Sequence, residues 1–209
     1  MSSVVEAAGC ARSGGKGNMS LASRVKGLIL RPDEEWKIIE AESPSVLEFY
    51  LKYIVFLAAI PPFANFLGAW LFGVSHGRGV VHPAFASGMA RAVTQYVLLM
   101  PAVYLAAFVI SMIAPHFDGK SDDLNALRLV AYSYTPAFLA SGFGILPGMR
   151  WLDVLGFYGV YIFYLGMPRM LKCPKENADV LTMIALFLAV GISVLHARLV
   201  DFIAPMALM

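Results

Sequence analysis

Five long apolar stretches dominate this chain and constrain what it can fold into. They lie at about 46–72, 85–113, 124–146, 151–171 and 179–203. Each is long enough to cross a hydrocarbon layer of about 30 Å, which takes roughly 20 residues of α-helix. Backbone groups in lipid must pair within the protein, and continuous apolar runs favour helices over the alternating strands of a barrel. The sequence therefore predicts an all-α membrane protein, a bundle of five transmembrane helices.

Composition divides the chain into three parts. Residues 1–18 are small and polar, and they predict a disordered tail without the apolar core of a signal peptide. Residues 19–43 predict an amphipathic membrane-surface segment, and residues 44–205 hold the five spans. Charged residues make up only 14% of the chain, against about 25% in soluble domains, which agrees with a membrane location.

The surface segment carries an apolar stripe at helical spacing. Its members are Leu21, Val25, Leu28 and Ile29. Arg24 and Lys26 lie off this stripe. Pro32, followed by three acids, predicts the start of a second short helix. We expect residues 20–42 to form two short helices on the inner membrane surface. The alternative is a cytoplasmic segment that docks a partner.

The lysines and arginines predict the orientation, because cytoplasmic loops carry an excess of both. With the N-terminus inside, eleven of them fall on the inner side and four on the outer side. We therefore expect a multi-pass protein of the cytoplasmic (inner) membrane, with its N-terminus in the cytoplasm and its C-terminus on the outer side.

Glu48 and Lys52 are the charged residues of the first predicted span. They are four residues apart in the order that favours a helical ion pair. A charge within a membrane is a candidate for function. The alternative is a mutually neutralised pair near the lipid headgroups, since both lie within about two helical turns of the surface.

Prolines recur inside the spans, at Pro61, Pro62, Pro101 and Pro136. Proline removes a backbone donor and bends a helix, and broken helices form the solute sites of many transporters. The strongly polar residues of the spans include Asn65, Gln95, Tyr132, Tyr134 and Thr135. These side chains either line a solute path or bond between helices that the prolines merely shape.

Small residues are frequent in the third and fourth spans, where they let helices approach closely. Tyr161 is the middle member of three tyrosines spaced three residues apart. Such a stripe predicts a contact within the bundle rather than a ligand cage. Glycine-rich faces also permit a homo-oligomer.

The sequence contains no phosphate-binding glycine loop, zinc-ligand spacing or nucleophile–base arrangement. We therefore predict no enzymatic activity, no catalytic residue, no cofactor and no metal. Topology accounts for the basic residues, so no nucleic-acid partner is expected. The expected partners are the lipid bilayer and either other membrane proteins or a second copy of the chain.

Three segments resemble the bacterial branch of the Yip family, the Ypt/Rab-interacting membrane proteins. The chain opens its ordered part with SRVKGLILRPDEEWKII, which resembles the start of that family. The family's core is similar to FDGKSDDLNALRLVAYSYTPAFLASGFGILPGMRWL, and its fourth helix to FYGVYIFYLGMPRMLKCPKENA. The resemblance covers about residues 19–200.

The resemblance implies a five-span bundle with a cytoplasmic N-terminus. Eukaryotic relatives bind Rab GTPases, but this chain lacks the Asp-Leu-Tyr-Gly-Pro pattern of some of them. No catalytic residue can be carried over from the family. Two functions follow as hypotheses. The first is a non-enzymatic scaffold that binds proteins or lipids. The second is a small-solute or ion permease with a path along the proline-bent helices.

Overall fold

The computed structural model of the protein describes residues 21–42, 44–76 and 79–205. The tail predicted to be disordered, residues 1–18, lies outside these residues. The described part is helical apart from one short pair of strands, so the prediction of an all-α protein is confirmed.

Seven α-helices and one strand pair make up the regular structure of the described residues, together with short 3-10 helices. The α-helices are α1 (Leu21–Leu30), α2 (Pro32–Ala41), α3 (Val46–Phe72), α4 (Phe85–Ile113), α5 (Asp123–Ser141), α6 (Tyr158–Met170) and α7 (Lys175–Ile203). Strands β1 (Val74–His76) and β2 (Gly79–Val81) pair antiparallel between α3 and α4. The 3-10 helices are Ala114–Phe117, Gly142–Ile145 and Arg150–Phe157.

Three helices are long and apolar enough to cross a membrane, namely α3, α4 with its 3-10 extension, and α7. The predicted third span corresponds to α5, of 19 residues, and the 3-10 helix that follows it. The predicted fourth span is half 3-10 helix and half α6, which has 13 residues. At about 1.5 Å per residue α6 is only about 20 Å long. The count of five spans therefore stays a prediction.

Helix α3 departs from regular α-helical geometry along its N-terminal half. Tyr50–Ile54 forms a π-helical turn, and the helix is interrupted just before Pro61 and Pro62. These prolines cannot donate to the preceding turn. The carbonyl of Val55, just before the interruption, accepts a hydrogen bond from the hydroxyl of Tyr96 on α4 at 3.0 Å. The helix is thus interrupted next to these prolines, and the neighbouring α4 supplies a donor to a carbonyl beside the interruption.

Helix α5 occupies the centre of the bundle. It contacts α3, α4 and α6, and most of its residues from Ala126 to Ala140 are buried. Helix α7 lies at the edge, against α4 and α6, and buries few side chains. Its C-terminal end is held by Arg91 of α4, which donates to the carbonyl of Ala204 at 3.0 Å and to the Asp201 carboxylate at 2.5 Å. A cation is favourable at that end of a helix.

Glycines allow α6 to lie close to α5, as the small residues of these spans predicted. A Cβ added at Gly159 would lie 2.1 Å from the carbonyl oxygen of Ser133, and one at Gly156 would lie 3.1 Å from Ala137. The obstacle at Gly159 is backbone, which cannot move aside as a flexible side chain would. The close approach of the two helices therefore depends on the missing side chain at residue 159.

The substitution Gly159→Ala is expected to lower the free energy of unfolding by about 1–3 kcal/mol, because the added methyl group forces α5 and α6 apart. Thermal unfolding of the purified protein in detergent measures this change. The matched control is Gly191→Ala in α7, where nothing lies within 4 Å of the added Cβ. Equal stability of the two variants would show that the contact is not tight.

Candidate functional site

The N-terminal helices form a hairpin that packs lengthwise against the bundle. The indole of Trp36 in α2 is fully buried, and its Nε1 donates to the carbonyl of Ile162 in α6 at 3.1 Å. A Cβ at Gly166 would lie 2.5 Å from the same ring, so this glycine opens a slot for it. The hydroxyl of Tyr158 donates to the carbonyl of Ile29 in α1 at 3.0 Å. The segment expected on the membrane surface is therefore held by α6.

Arg24 links the two helices of the hairpin. Its guanidinium bonds the Glu35 carboxylate at 2.7 Å and also pairs with the carboxylate of Glu42. The side chain is buried, although the sequence pattern placed Arg24 off the apolar stripe of α1. Burial lowers the pKa of Arg24, but Tyr132, Glu42 and Glu35 together raise that pKa above its ordinary value. The guanidinium therefore stays charged, and its charge is matched by two acids.

Arg128 of α5 binds the C-terminal end of α2. The side chain is 2% exposed and donates to the carbonyl of Glu42 at 3.0 Å and to the carbonyl of Ile39. The last carbonyls of a helix lack partners within the helix and carry partial negative charge. Asn125 accepts a further hydrogen bond at 3.2 Å, while Nε of Arg128 has no partner among the described residues. One buried cation thus satisfies the end of α2.

Aromatic rings surround this polar cluster on the side of α3. The ring of Tyr132 meets those of Trp36, Phe49 and Tyr53 edge to face, with centroids 5.9, 5.2 and 4.6 Å away. The hydroxyls of Tyr53 and Thr135 are 2.7 Å apart, which joins α3 to α5. Thr135 therefore bonds between helices, and Tyr132 packs its ring between them. We call this region the inner cluster: Arg24, Glu35, Trp36, Glu42, Arg128 and Tyr132.

Tyr134 is only two residues from Tyr132 in the sequence, but its side chain lies outside the inner cluster. It lines a cavity of about 230 Å³ between α4, α5, α6 and α7, whose lining is mainly apolar. Pro136 is buried within a continuous α5. Of the described residues that were predicted to line a solute path, Tyr134 is the one that lines this cavity.

The remaining residues of the predicted path are apart from that cavity. The side-chain oxygen of Asn65 lies beside Gly144, 3.2 Å from where a Cβ would be. Gln95 meets His196 of α7 through its backbone carbonyl, 3.0 Å from Nε2. The described residues of the predicted path are thus not gathered around one cavity.

The remaining candidates, the pair Glu48 and Lys52 and the ring of Tyr161, are exposed. Glu48 and Lys52 form the predicted ion pair at 2.6 Å, but both side chains are about half exposed, and such pairs contribute little to stability. Tyr161 is 48% exposed, so the prediction that it packs within the bundle was wrong. Its ring instead lies beside that of Tyr158 on the exposed face of α6, with centroids 5.6 Å apart.

Sequence reasoning missed most of the inner cluster. Arg24 and Arg128 were treated only as markers of topology. A signal existed for Arg128, because a charge inside an apolar stretch demands a partner. No sequence spacing revealed that its partners are the carbonyls of α2. No three metal-binding side chains gather within the described part of the chain.

Comparisons with known proteins agree with the helical membrane fold. A family model described as the Yip1 domain matches residues 26–197. The chain is 31% identical over 183 residues to the Inner membrane protein YohC of Escherichia coli strain K12, which covers 85% of this chain and 92% of that protein. The protein of the same name from Escherichia coli strain CFT073 matches equally. No solved structure matches the chain.

Replacing Arg128 by Met is expected to lower the free energy of unfolding by about 3 kcal/mol, because the carbonyls at the end of α2 lose a buried charged donor. Thermal unfolding in detergent checks the effect, and protease cleavage within residues 21–42 reports release of the hairpin. Arg198→Met, at an exposed arginine of α7, is the matched control. Equal unfolding temperatures and cleavage rates in both variants would contradict the assigned role.

Proposed function

This chain belongs to the Yip1 domain family, and we propose that it is a non-enzymatic scaffold of the bacterial inner membrane that binds partner proteins through the α1–α2 hairpin. The family match and the name of the similar Escherichia coli protein support the membrane location. The three long apolar helices support several crossings of that membrane.

One observation carries the proposal: the inward face of the hairpin packs against the bundle, while its outward face is exposed and can contact a partner. Trp36 and Arg24 are buried against the bundle, and Arg128 satisfies the end of α2. The outward face mixes charged and apolar side chains that are exposed. They are Lys26, Leu30, Asp33, Glu34, Lys37 and Ile38. A surface already fixed in one conformation loses little entropy on binding.

The cavities favour a scaffold over a permease. The cavity that holds Tyr134 and a second groove between α4 and α7 are both lined mainly by apolar side chains. A path for a polar solute or ion needs polar groups that replace the lost water. This contrast supports binding rather than transport as the activity of the bundle.

The proposed orientation places the N-terminus on the cytoplasmic side and the C-terminus on the outer side. The charge distribution supports it, and either three or five crossings put the two ends on opposite sides. The inner ends of α2 and α6 are also joined by Glu40, which pairs with Lys172 and lies 4.0 Å from Arg169. Arg169 lies in the last turn of α6 and Lys172 follows the helix, where a cytoplasmic loop is expected.

Reporter fusions test this orientation. Alkaline phosphatase fused after Ala204 is expected to be active, and a fluorescent protein at the same place dark, because that end lies outside the cytoplasm. The same two reporters fused after Lys120 should give the reverse pattern. A bright fluorescent fusion after Ala204 would refute the orientation.

Charge reversal tests the partner surface. The double variant Asp33→Lys, Glu34→Lys changes two exposed side chains in the first turn of α2 and breaks an exposed pair with Arg31 at 3.5 Å. It is expected to reduce partner recovery roughly tenfold, as the loss of one or two interfacial contacts would. A photo-crosslinking amino acid at Lys37 in living cells measures the recovery.

The matched control changes the same charge on the same side of the bundle. Glu176→Lys, Asp179→Lys alters two exposed acids at the start of α7. It is expected to leave partner recovery at Lys37 unchanged. Unfolding temperatures should match the parent in both double variants. Equal crosslinking in the parent and the hairpin variant would overturn the proposed surface.

A further inference from the structure

An apolar cavity of about 230 Å³ lies between α4, α5, α6 and α7, at the edge of the bundle where α7 packs loosely. Its walls include Ala137, Phe163, Leu186 and Ala189. An engineered apolar cavity of about 150 Å³ stays dry and binds benzene, so this larger one suits an apolar occupant.

Two hydroxyl groups on the cavity wall, those of Ser133 and Thr182, are already used. Ser133 donates to the carbonyl of Leu129 at 2.7 Å, and Thr182 donates to that of Ala178 at 2.7 Å. Each bond lies within the hydroxyl's own helix. These two hydroxyl protons are therefore not offered to a guest. Apart from Tyr134 and Asp153 the rest of the lining is apolar, so it suits an occupant that is mainly hydrocarbon.

The shape of the cavity suits a chain. On α7 its lining runs from Thr182 to Ala189, which is about 10 Å at roughly 1.5 Å per residue. This part of the lining follows α7, a helix long enough to cross a membrane, and so follows the direction of lipid chains in a bilayer. Asp153 and Phe157 lie at one end, and Ile110 and Thr182 lie towards the other.

The end at Asp153 is charged and exposed. Asp153 lies in the 3-10 helix Arg150–Phe157, three residues after Arg150. Side chains at this spacing fall on the same side of a 3-10 helix, because it has about three residues per turn. Neither residue forms an ion pair within the described part of the chain, so both charges are available to a headgroup.

We propose that the cavity holds one acyl chain of a bilayer phospholipid whose headgroup carries a primary ammonium, such as phosphatidylethanolamine. Its ammonium pairs with Asp153, and its phosphate lies towards Arg150. Both charges of the zwitterionic headgroup then have a partner, whereas an anionic headgroup without the ammonium would leave Asp153 facing negative charge. The assignment does not rest on partner binding by the hairpin.

Photo-crosslinking in lipid nanodiscs tests the assignment with the whole chain. The probes are phosphatidylethanolamine and phosphatidylglycerol, each with a diazirine near the middle of one acyl chain, in discs of equal amounts of both lipids. The ethanolamine probe is expected to label peptides of α5, α6 and α7 that line the cavity, more strongly than the glycerol probe does.

Two variants separate the chain from the headgroup. Ala189→Phe fills the cavity and is expected to reduce this labelling by about tenfold, since a blocked site loses its bound chain. Asp153→Asn is expected to reduce only ethanolamine labelling, by about two- to fivefold, as an exposed ion pair would. Ala102→Phe, in the apolar groove between α4 and α7, is the matched control and should leave the labelling unchanged.

Each contrary result overturns a stated part of the proposal. Undiminished labelling in Ala189→Phe excludes the cavity as the site. Equal labelling by both probes, unchanged in Asp153→Asn, excludes headgroup recognition. Labels spread evenly over the exposed apolar faces mean an adventitious lipid only. Unfolding temperatures are measured for each variant, and Ala189→Leu replaces Ala189→Phe if the larger ring unfolds the protein.

Discussion

The hydrogen bonds from Arg128 to the end of α2 are the interaction on which the N-terminal half of this structure depends. A guanidinium buried in a membrane bundle is costly unless its protons are bonded. Here the carbonyls of Ile39 and Glu42 accept them, and the Ile39 carbonyl also accepts the backbone N–H of Glu42 at 3.2 Å. One buried charge therefore fixes where α2 ends, and so fixes the hairpin against α5 and α6.

The hairpin and the short helix α6 form one unit. Trp36 fits over Gly166, and Glu40 pairs with Lys172 beyond the end of α6. Charged residues on the outward face of the hairpin therefore lie alongside α6. This arrangement makes the bundle two-sided: α4 and α7 present apolar faces suited to lipid, while α6 carries a polar cover suited to protein contact.

Much of the fold could be predicted from the sequence. Pro32 and the acids after it marked the start of α2, and Pro61 and Pro62 marked the interruption of α3. The small residues of the third and fourth spans predicted a close contact, which Gly159 makes against Ser133. The prediction for Tyr161 was wrong, because tyrosines in a stripe have the same spacing whether the stripe faces a neighbouring helix or lipid. The sequence also did not predict that the first half of the predicted fourth span forms a 3-10 helix.

Apolar runs, prolines and the order of charges by themselves determined that this is a helical membrane protein, with short helices before its spans. These properties depend on local periodicity and on transfer of side chains into lipid, which act within a single segment. Only the tertiary structure decided that Arg24, Glu35, Glu42 and Arg128 form one cluster in which both guanidinium groups are buried, and that Tyr134 and Tyr132 face different neighbours. Those outcomes depend on helices far apart in sequence, whose approach is set by shape and by the pairing of buried charge.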